Sequence, residues 1–312
     1  MFINRIFLLL PLFTAFSTNA QVQFEYVFRN PQDSSYNCYL KVIPDTDSIK
    51  GLIVRDFSSL PNTTRKSPFR LMQLAADEGM MTIYTVTSNY FPELYYDDKG
   101  PTLLDDIIKE VMEKHKIPKE NLILGGISSS GTRALRYAQY CLSGKSKYGN
   151  QPKGIFLVDS PLDLERFCLS AAKHIDNFSD GMLEEALMMN KAFPEKFGVT
   201  ASHNPKPYRD NSVFSHTLPK GGNAVLFKNT PIIIFHEPDI NWWIEERGAS
   251  YYDINSYDLA AFANTLAQQG NSKVELITTS EKGFDRQGNR KPHSWTIVDE
   301  PYLMQWILRT LW

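Results

Sequence analysis

The residues Gly125-Gly-Ile-Ser-Ser-Ser-Gly131 have the types and spacing for nucleophilic chemistry. They follow an apolar run, Leu122–Ile127, and open an amphipathic one, Gly131–Leu142. A serine on so sharp a strand-to-helix turn takes a strained backbone, and its neighbours two before and two after must be small. Gly126 and Ser130 meet that condition around Ser128, and Gly131 eases the helix against the sheet. The amide of Ser129 then lies at a helix N-terminus, where it can donate to an oxyanion. A hydroxyl so placed can attack a carbonyl, provided that a base takes its proton and an acid orients the base.

Of the six histidines, His293 is best placed to be that base, in a loop between the last strand-like run and the final helix. His115 ends a surface helix, His174, His203 and His216 fall in a long connection, and His236 ends a strand and reads as structural. For the acid, Asp239 in His236-Glu-Pro-Asp239 is preferred. Glu237 is a rival two residues away, and Asp159, just past the run Gly154–Val158, is a third candidate. His236-Glu237 begins like a zinc-helix motif, but position 240 is Ile, and no Cys-x-x-Cys spacing occurs. No metal and no cofactor is expected.

The elements that must position these residues alternate along the chain. Strand-like runs occupy Tyr36–Ile43, Lys50–Asp56, Met81–Val86, Leu122–Ile127, Gly154–Val158, Pro231–Phe235 and Lys273–Thr278. Several are apolar on both faces, as expected inside a sheet covered by helices. Helical periodicity marks Thr102–His115, where Thr102 and Asp105 resemble a capping box, and then Gly131–Leu142, Tyr257–Gln268 and Pro301–Trp312. This alternation predicts right-handed crossovers and a mostly parallel α/β sheet flanked by helices. Between 158 and 231 the rhythm breaks. Leu162–Ile175 and Gly181–Ala192 look helical and Thr200–Gly222 reads as a polar loop, so an inserted helical cap is expected over about 161–229.

The Gly-x-Ser-x-Ser turn between strand and helix resembles the nucleophile elbow of the α/β-hydrolase superfamily, with Ser130 where Gly is common. The resemblance implies the chain order Ser, acid, His, with the acid after a late strand and the His after the last one. Ser128, Asp239 and His293 fit that order, each past the C-terminal end of a strand, the edge where open α/β sheets place their sites. It also implies a second oxyanion donor from the loop after Lys50–Asp56, where Phe57 or Ser58 can supply the amide; the His-Gly-Gly signature of many lipases is absent. His293-Ser-Trp295 is similar to the His-x-Trp of esterases related to esterase D and enterochelin esterase. The implied activity is hydrolysis of a small-molecule or carbohydrate-linked ester. A peptidase on the same scaffold and a non-catalytic binding protein are the alternatives. The loop Tyr90–Tyr96 and the pair Trp242-Trp243 are candidates to wall an aromatic cleft.

Composition bounds the rest. The chain has 312 residues with 42% hydrophobic and 22% charged, an ordinary globular profile that excludes disordered and fibrous classes. A net charge of -2 gives no reason to expect a nucleic acid or an anionic membrane surface as partner. Met1–Arg5 is a short positive start, Ile6–Phe16 an apolar run too short to span a bilayer comfortably, and Ser17-Thr-Asn-Ala20 a small-residue end. That layout predicts a signal peptide over residues 1–20 and a secreted or periplasmic mature chain without stable membrane insertion. Cys38, Cys141 and Cys168 are not a disulfide framework, although an oxidising compartment would permit one bridge. The oligomeric state is not readable.

Overall fold

The computed structural model describes residues 22–61, 70–90 and 92–312, so the expected signal peptide lies outside the described residues. The strands are β1 (Val22–Phe28), β2 (Cys38–Pro44), β3 (Gly51–Asp56), β4 (Met80–Val86), β5 (Leu122–Ile127), β6 (Gly154–Val158), β7 (Ile232–His236) and β8 (Val274–Thr278). They form one sheet in the order β1-β2-β4-β3-β5-β6-β7-β8. β2 runs antiparallel to β1 and β4, and every other neighbouring pair is parallel, as the alternation predicts.

The apolar strands have two buried faces because successive side chains point to opposite sides. Leu122 and Leu124 of β5, Ile155 and Leu157 of β6, and Ile232 and Ile234 of β7 face one layer. That layer is built from α2 (Lys99–His115), α3 (Ser129–Leu142) and α8 (Asn255–Gln268). Ile123, Phe156, Val158, Ile233 and Phe235 point the other way, against α1 (Arg70–Asp77) and α9 (Glu300–Leu311). Parallel strands with crossovers bring their C-terminal ends to one edge. The register is nearly flush there: Ile127 pairs with Val158, Val158 with Phe235, and His236 with Thr278.

Sequence and structure differ at several elements. β1 was not expected; its Val22, Phe24 and Glu25 are half-buried and it pairs only with β2, so its apolar signal is that of an edge. Helix α2 starts at Lys99 after Asp98, so Thr102 and Asp105 do not cap it. Asp105 is buried and accepts from Tyr137 Oη and Asn150 Nδ2 instead. In the connection, α4 (Leu164–Lys173), α5 (Asp180–Phe197) and α6 (Lys206–Asn211) enclose their own core of Leu164, Phe167, Met189, Phe193 and Tyr208. Past α6 the chain packs on the main core through Val213, Phe214, Ala224 and Phe227. α7 (Ile240–Arg247) was not expected either; it has no buried residue and hence no strong apolar stripe. Cys38, Cys141 and Cys168 are buried free thiols, with no bridge among them. Among the described residues no helix is long and apolar enough to cross a membrane.

Candidate active site

Ser128 lies between the last residue of β5 and the first of α3 with φ 55° and ψ -134°, a conformation that L-residues rarely adopt. Its amide donates to Val158 O at 2.9 Å, which pins the turn to the end of β6. The small-neighbour condition is steric fact. A Cβ on Gly126 would stand 2.7 Å from the Ser130 carbonyl carbon, and one on Gly131 2.9 Å from Gly126 O. Ser130 is buried and its hydroxyl donates to Asp56 O, so a serine replaces the usual glycine where it ties α3 to the end of β3.

His293 Nδ1 lies 2.6 Å from Asp159 Oδ2. Asp159 follows β6 directly, is 4% exposed, and has a left-handed φ of 41° that turns its side chain out of the strand direction towards the His loop. Its amide donates to Phe235 O at 2.9 Å, and its carbonyl accepts from Asn255 Nδ2 at 3.0 Å. Burial pushes the imidazole of His293 down, but the charge and hydrogen bond of Asp159, with Glu185 further off, outweigh it and hold the ring above its ordinary pKa.

The structure brings Asp159, and not the preferred Asp239, to His293. Asp239 does not meet His293: its Oδ1 caps α7 by accepting from the Trp242 amide at 3.2 Å, and its Oδ2 pairs with Arg290 Nη2 at 2.7 Å. Glu237 is likewise engaged, with Arg290, with Thr279 Oγ1 at 2.7 Å and with the amides of Lys282 and Gly283 at 3.0 Å. Burial pushes the Glu237 carboxyl up, but these donors outweigh it and hold it below the usual range. Both carboxylates grip Arg290, three residues before His293, so they hold the loop that carries His293. His236 is buried and structural, its Nε2 2.7 Å from Thr278 Oγ1.

At the proposed oxyanion side the two candidate amides separate. Phe57 N donates to Thr85 O at 2.8 Å and is spent on β4. The amides of Ser58 and of Ser129, the first residue of α3, have no partner among the described residues. The loop bearing Ser58 is anchored by Asp56, which accepts from Thr85 Oγ1 at 2.6 Å, Thr87 Oγ1 at 3.0 Å and Tyr95 Oη at 2.8 Å. Arg133 of α3 pairs with the same carboxylate at 3.1 Å. One strand residue earlier, the buried Arg55 lays its guanidinium 4.1 Å from the centre of Trp295 and 5.1 Å from that of Phe57. Trp295, two residues past His293, also donates to Glu300 Oε1 at 2.8 Å. Sequence reasoning did not single out Arg55, although a cation in a strand whose preceding residues are all apolar or Gly marks it.

No protein-family model and no curated protein matches the chain. Solved structures do. The acylaminoacyl peptidase of Pyrococcus horikoshii superposes with a TM-score of 0.56 at 13% identity, covering 95% of this chain and 42% of that one. A fungal esterase from Rhizomucor miehei superposes with a TM-score of 0.54 at 16% identity, over 94% of this chain and 84% of that one. Carboxyl esterase 2 from Tuber melanosporum gives 0.54 at 13%, over 95% and 87%. The fold is that of the α/β-hydrolases. At these identities the likeness concerns the fold alone, and the chain spans less than half of the peptidase's length.

Within this hydrolase fold a cavity of about 240 Å³ opens beside His293. Phe167 of α4, Met182 and Glu185 of α5, and Trp242 and Trp243 of α7 line it. The tryptophans thus wall this cavity, whereas none of the described residues of Tyr90–Tyr96 lines it. Tyr95 is bound into the Asp56 network, and Tyr96 packs edge-on against Phe193 and Phe197. Among the described residues no cluster of His, Cys, Asp or Glu is arranged to hold a metal ion.

Proposed function

We propose that this protein is a serine hydrolase that cleaves a carboxylic ester through an acyl-enzyme, with Ser128, His293 and Asp159 as its triad. The observation that carries the reading is the 2.6 Å contact of His293 Nδ1 with Asp159, because it leaves Nε2 free for the strained serine on the neighbouring strand end. Ser128 Oγ attacks the carbonyl while His293 Nε2 takes its proton. The amides of Ser129 and Ser58 are the donors for the tetrahedral oxyanion. Collapse breaks the bond to the alcohol oxygen, which leaves with the proton from His293. Water, deprotonated by the same nitrogen, then releases the acid and frees Ser128. Asp159 holds the ring's tautomer and balances the imidazolium without taking the proton. An ester is favoured over an amide because its carbonyl is less stabilised by resonance and an alkoxide leaves more easily than the anion of an amine.

The likeness in fold to esterases supports this reading, and the peptidase among the similar structures keeps amide hydrolysis as the rival outcome. The N-terminal segment supports an exported protein, whose cleavage between Ala20 and Gln21 is checked by sequencing the N-terminus of secreted material. The central experiment pairs fluorophosphonate labelling with two substrates, a short 4-nitrophenyl ester and an aminoacyl 4-nitroanilide. Wild type should label and cleave the ester, and Ser128→Ala should do neither while melting normally. Faster anilide cleavage would make the protein a peptidase. Labelling that survives Ser128→Ala would refute the elbow.

A further inference from the structure

The cavity beside His293 contains a carboxylate that only longer-range attraction to His293 and Arg166 favours in its charged form. Glu185, on α5, lines it and has neither a hydrogen bond nor an ion pair among the described residues. A half-buried carboxylate without a partner is costly, and burial does push the Glu185 carboxyl up from its ordinary value. The other charged groups of the cavity are accounted for. Asp253 accepts from Ser250 Oγ at 2.6 Å and lies 2.6 Å from His174 Nδ1. Arg247 pairs with Asp180 at 3.3 Å and lies over the Trp242 ring at 4.8 Å. Lys291 is exposed, so water already solvates its ammonium at the rim. Next to Glu185, Trp242 and Trp243 meet edge to face, with centroids 5.1 Å apart and planes at 88°. Arg247 already occupies the Trp242 ring, so Trp243 is the indole left to meet a cation in this cavity, and an aromatic face attracts one.

We propose that this cavity is a subsite for a substrate bearing a small cationic group, a protonated or quaternary amine, held by Glu185 and Trp243. The inference rests on the triad reading above, since it places the cation one pocket away from His293. At about 240 Å³ the cavity is smaller than most drug-sized ligand sites, which suits a compact ammonium head rather than a long acyl chain. A carboxylate alone would bind any cation weakly in water; apolar indole walls in the same cavity lower the local dielectric and strengthen the attraction.

The test is a ratio measured within one enzyme. 4-Nitrophenyl 4-(trimethylammonio)butanoate and its neutral isostere, 4-nitrophenyl 5,5-dimethylhexanoate, differ only in the charge of the terminal group. With each kcat/KM divided by the ester's alkaline hydrolysis rate, wild type should prefer the cation by roughly tenfold, and Glu185→Gln should bring the ratio to about one. Effects of Glu185 on His293 cancel in this ratio. A ratio near one in wild type, a preference that survives Glu185→Gln, or faster cleavage of the anionic 4-nitrophenyl hydrogen glutarate would overturn the proposal. Tryptophan fluorescence titrated with tetramethylammonium separates it from the triad reading. A saturable change lost in Glu185→Gln upholds the subsite even if no ester turns over, and no saturable change in wild type refutes it.

Discussion

Replacing Asp159 by Asn tests the site most directly. Asn fills the same volume and tolerates the left-handed φ of 41°, so the backbone at the end of β6 is kept. What changes is the contact with His293 Nδ1 at 2.6 Å, a distance typical of a strong, charge-assisted hydrogen bond. An amide there can offer its NH₂ group to Nδ1, which moves the ring proton to Nε2, the nitrogen that must accept the serine proton. Loss of the correct tautomer and of the counter-charge costs about 10⁴-fold in kcat, or roughly 5.5 kcal/mol of barrier, in a triad of this kind. The pH profile supplies an independent sign. His293 must be neutral to act, so kcat/KM of wild type rises as pH passes upward through its raised pKa. Asp159→Asn removes the main influences that raise it while burial still lowers it. The limb should therefore move to lower pH as the plateau falls. The same group contributes to stability below its unfolded pKa, and that contribution fades as pH rises through the folded value. Asp239→Asn is the control: the amide oxygen still caps α7 and Arg290 keeps Glu237, so kcat should change by less than about threefold. Stopped-flow and steady-state ester kinetics across pH read both variants. If Asp239→Asn collapses turnover and Asp159→Asn does not, the assignment of the acid is wrong.

Three further outcomes follow from the packing. Ser130→Ala should keep fluorophosphonate labelling but lose about 1 kcal/mol of stability, because its buried hydroxyl serves Asp56 O and not the substrate; loss of labelling at full stability would shift the nucleophile's register. Arg55→Met should lower kcat roughly three- to tenfold with KM nearly unchanged, since it loosens Trp295 beside the His loop rather than any substrate contact; a change confined to KM would show that Arg55 faces the substrate. Deleting 200–222 should lower Tm steeply, because Tyr208, Val213 and Phe214 are each at most 3% exposed and each contributes about 2 kcal/mol of burial; an unchanged Tm would mean that this stretch is a detachable lid.

Local pattern was enough for the elbow and for most of the sheet. A glycine two residues before a serine, a small residue two after, an apolar strand ahead and an amphipathic helix behind all act within a dozen residues, so Ser128 was legible from its neighbours. His293 stood out by position, as the histidine past the last strand. Its carboxylate partner did not, because three carboxylates, at 159, 237 and 239, all follow strand ends at the same edge. Which of them meets His293 depends on residues far apart in sequence: the left-handed turn at Asp159, and Arg290, which draws Glu237 and Asp239 to itself. Phe57 and Ser58 were equally indistinguishable until the pairing of β3 with β4 consumed one amide. The stretch 200–222 looked like loop because its composition is polar, yet its few apolar side chains are buried by helices and strands that no local window contains. Short-range sterics and periodicity act along the chain and can be read there; the partner of a charge or an amide is set by competition among groups that only the folded chain brings together.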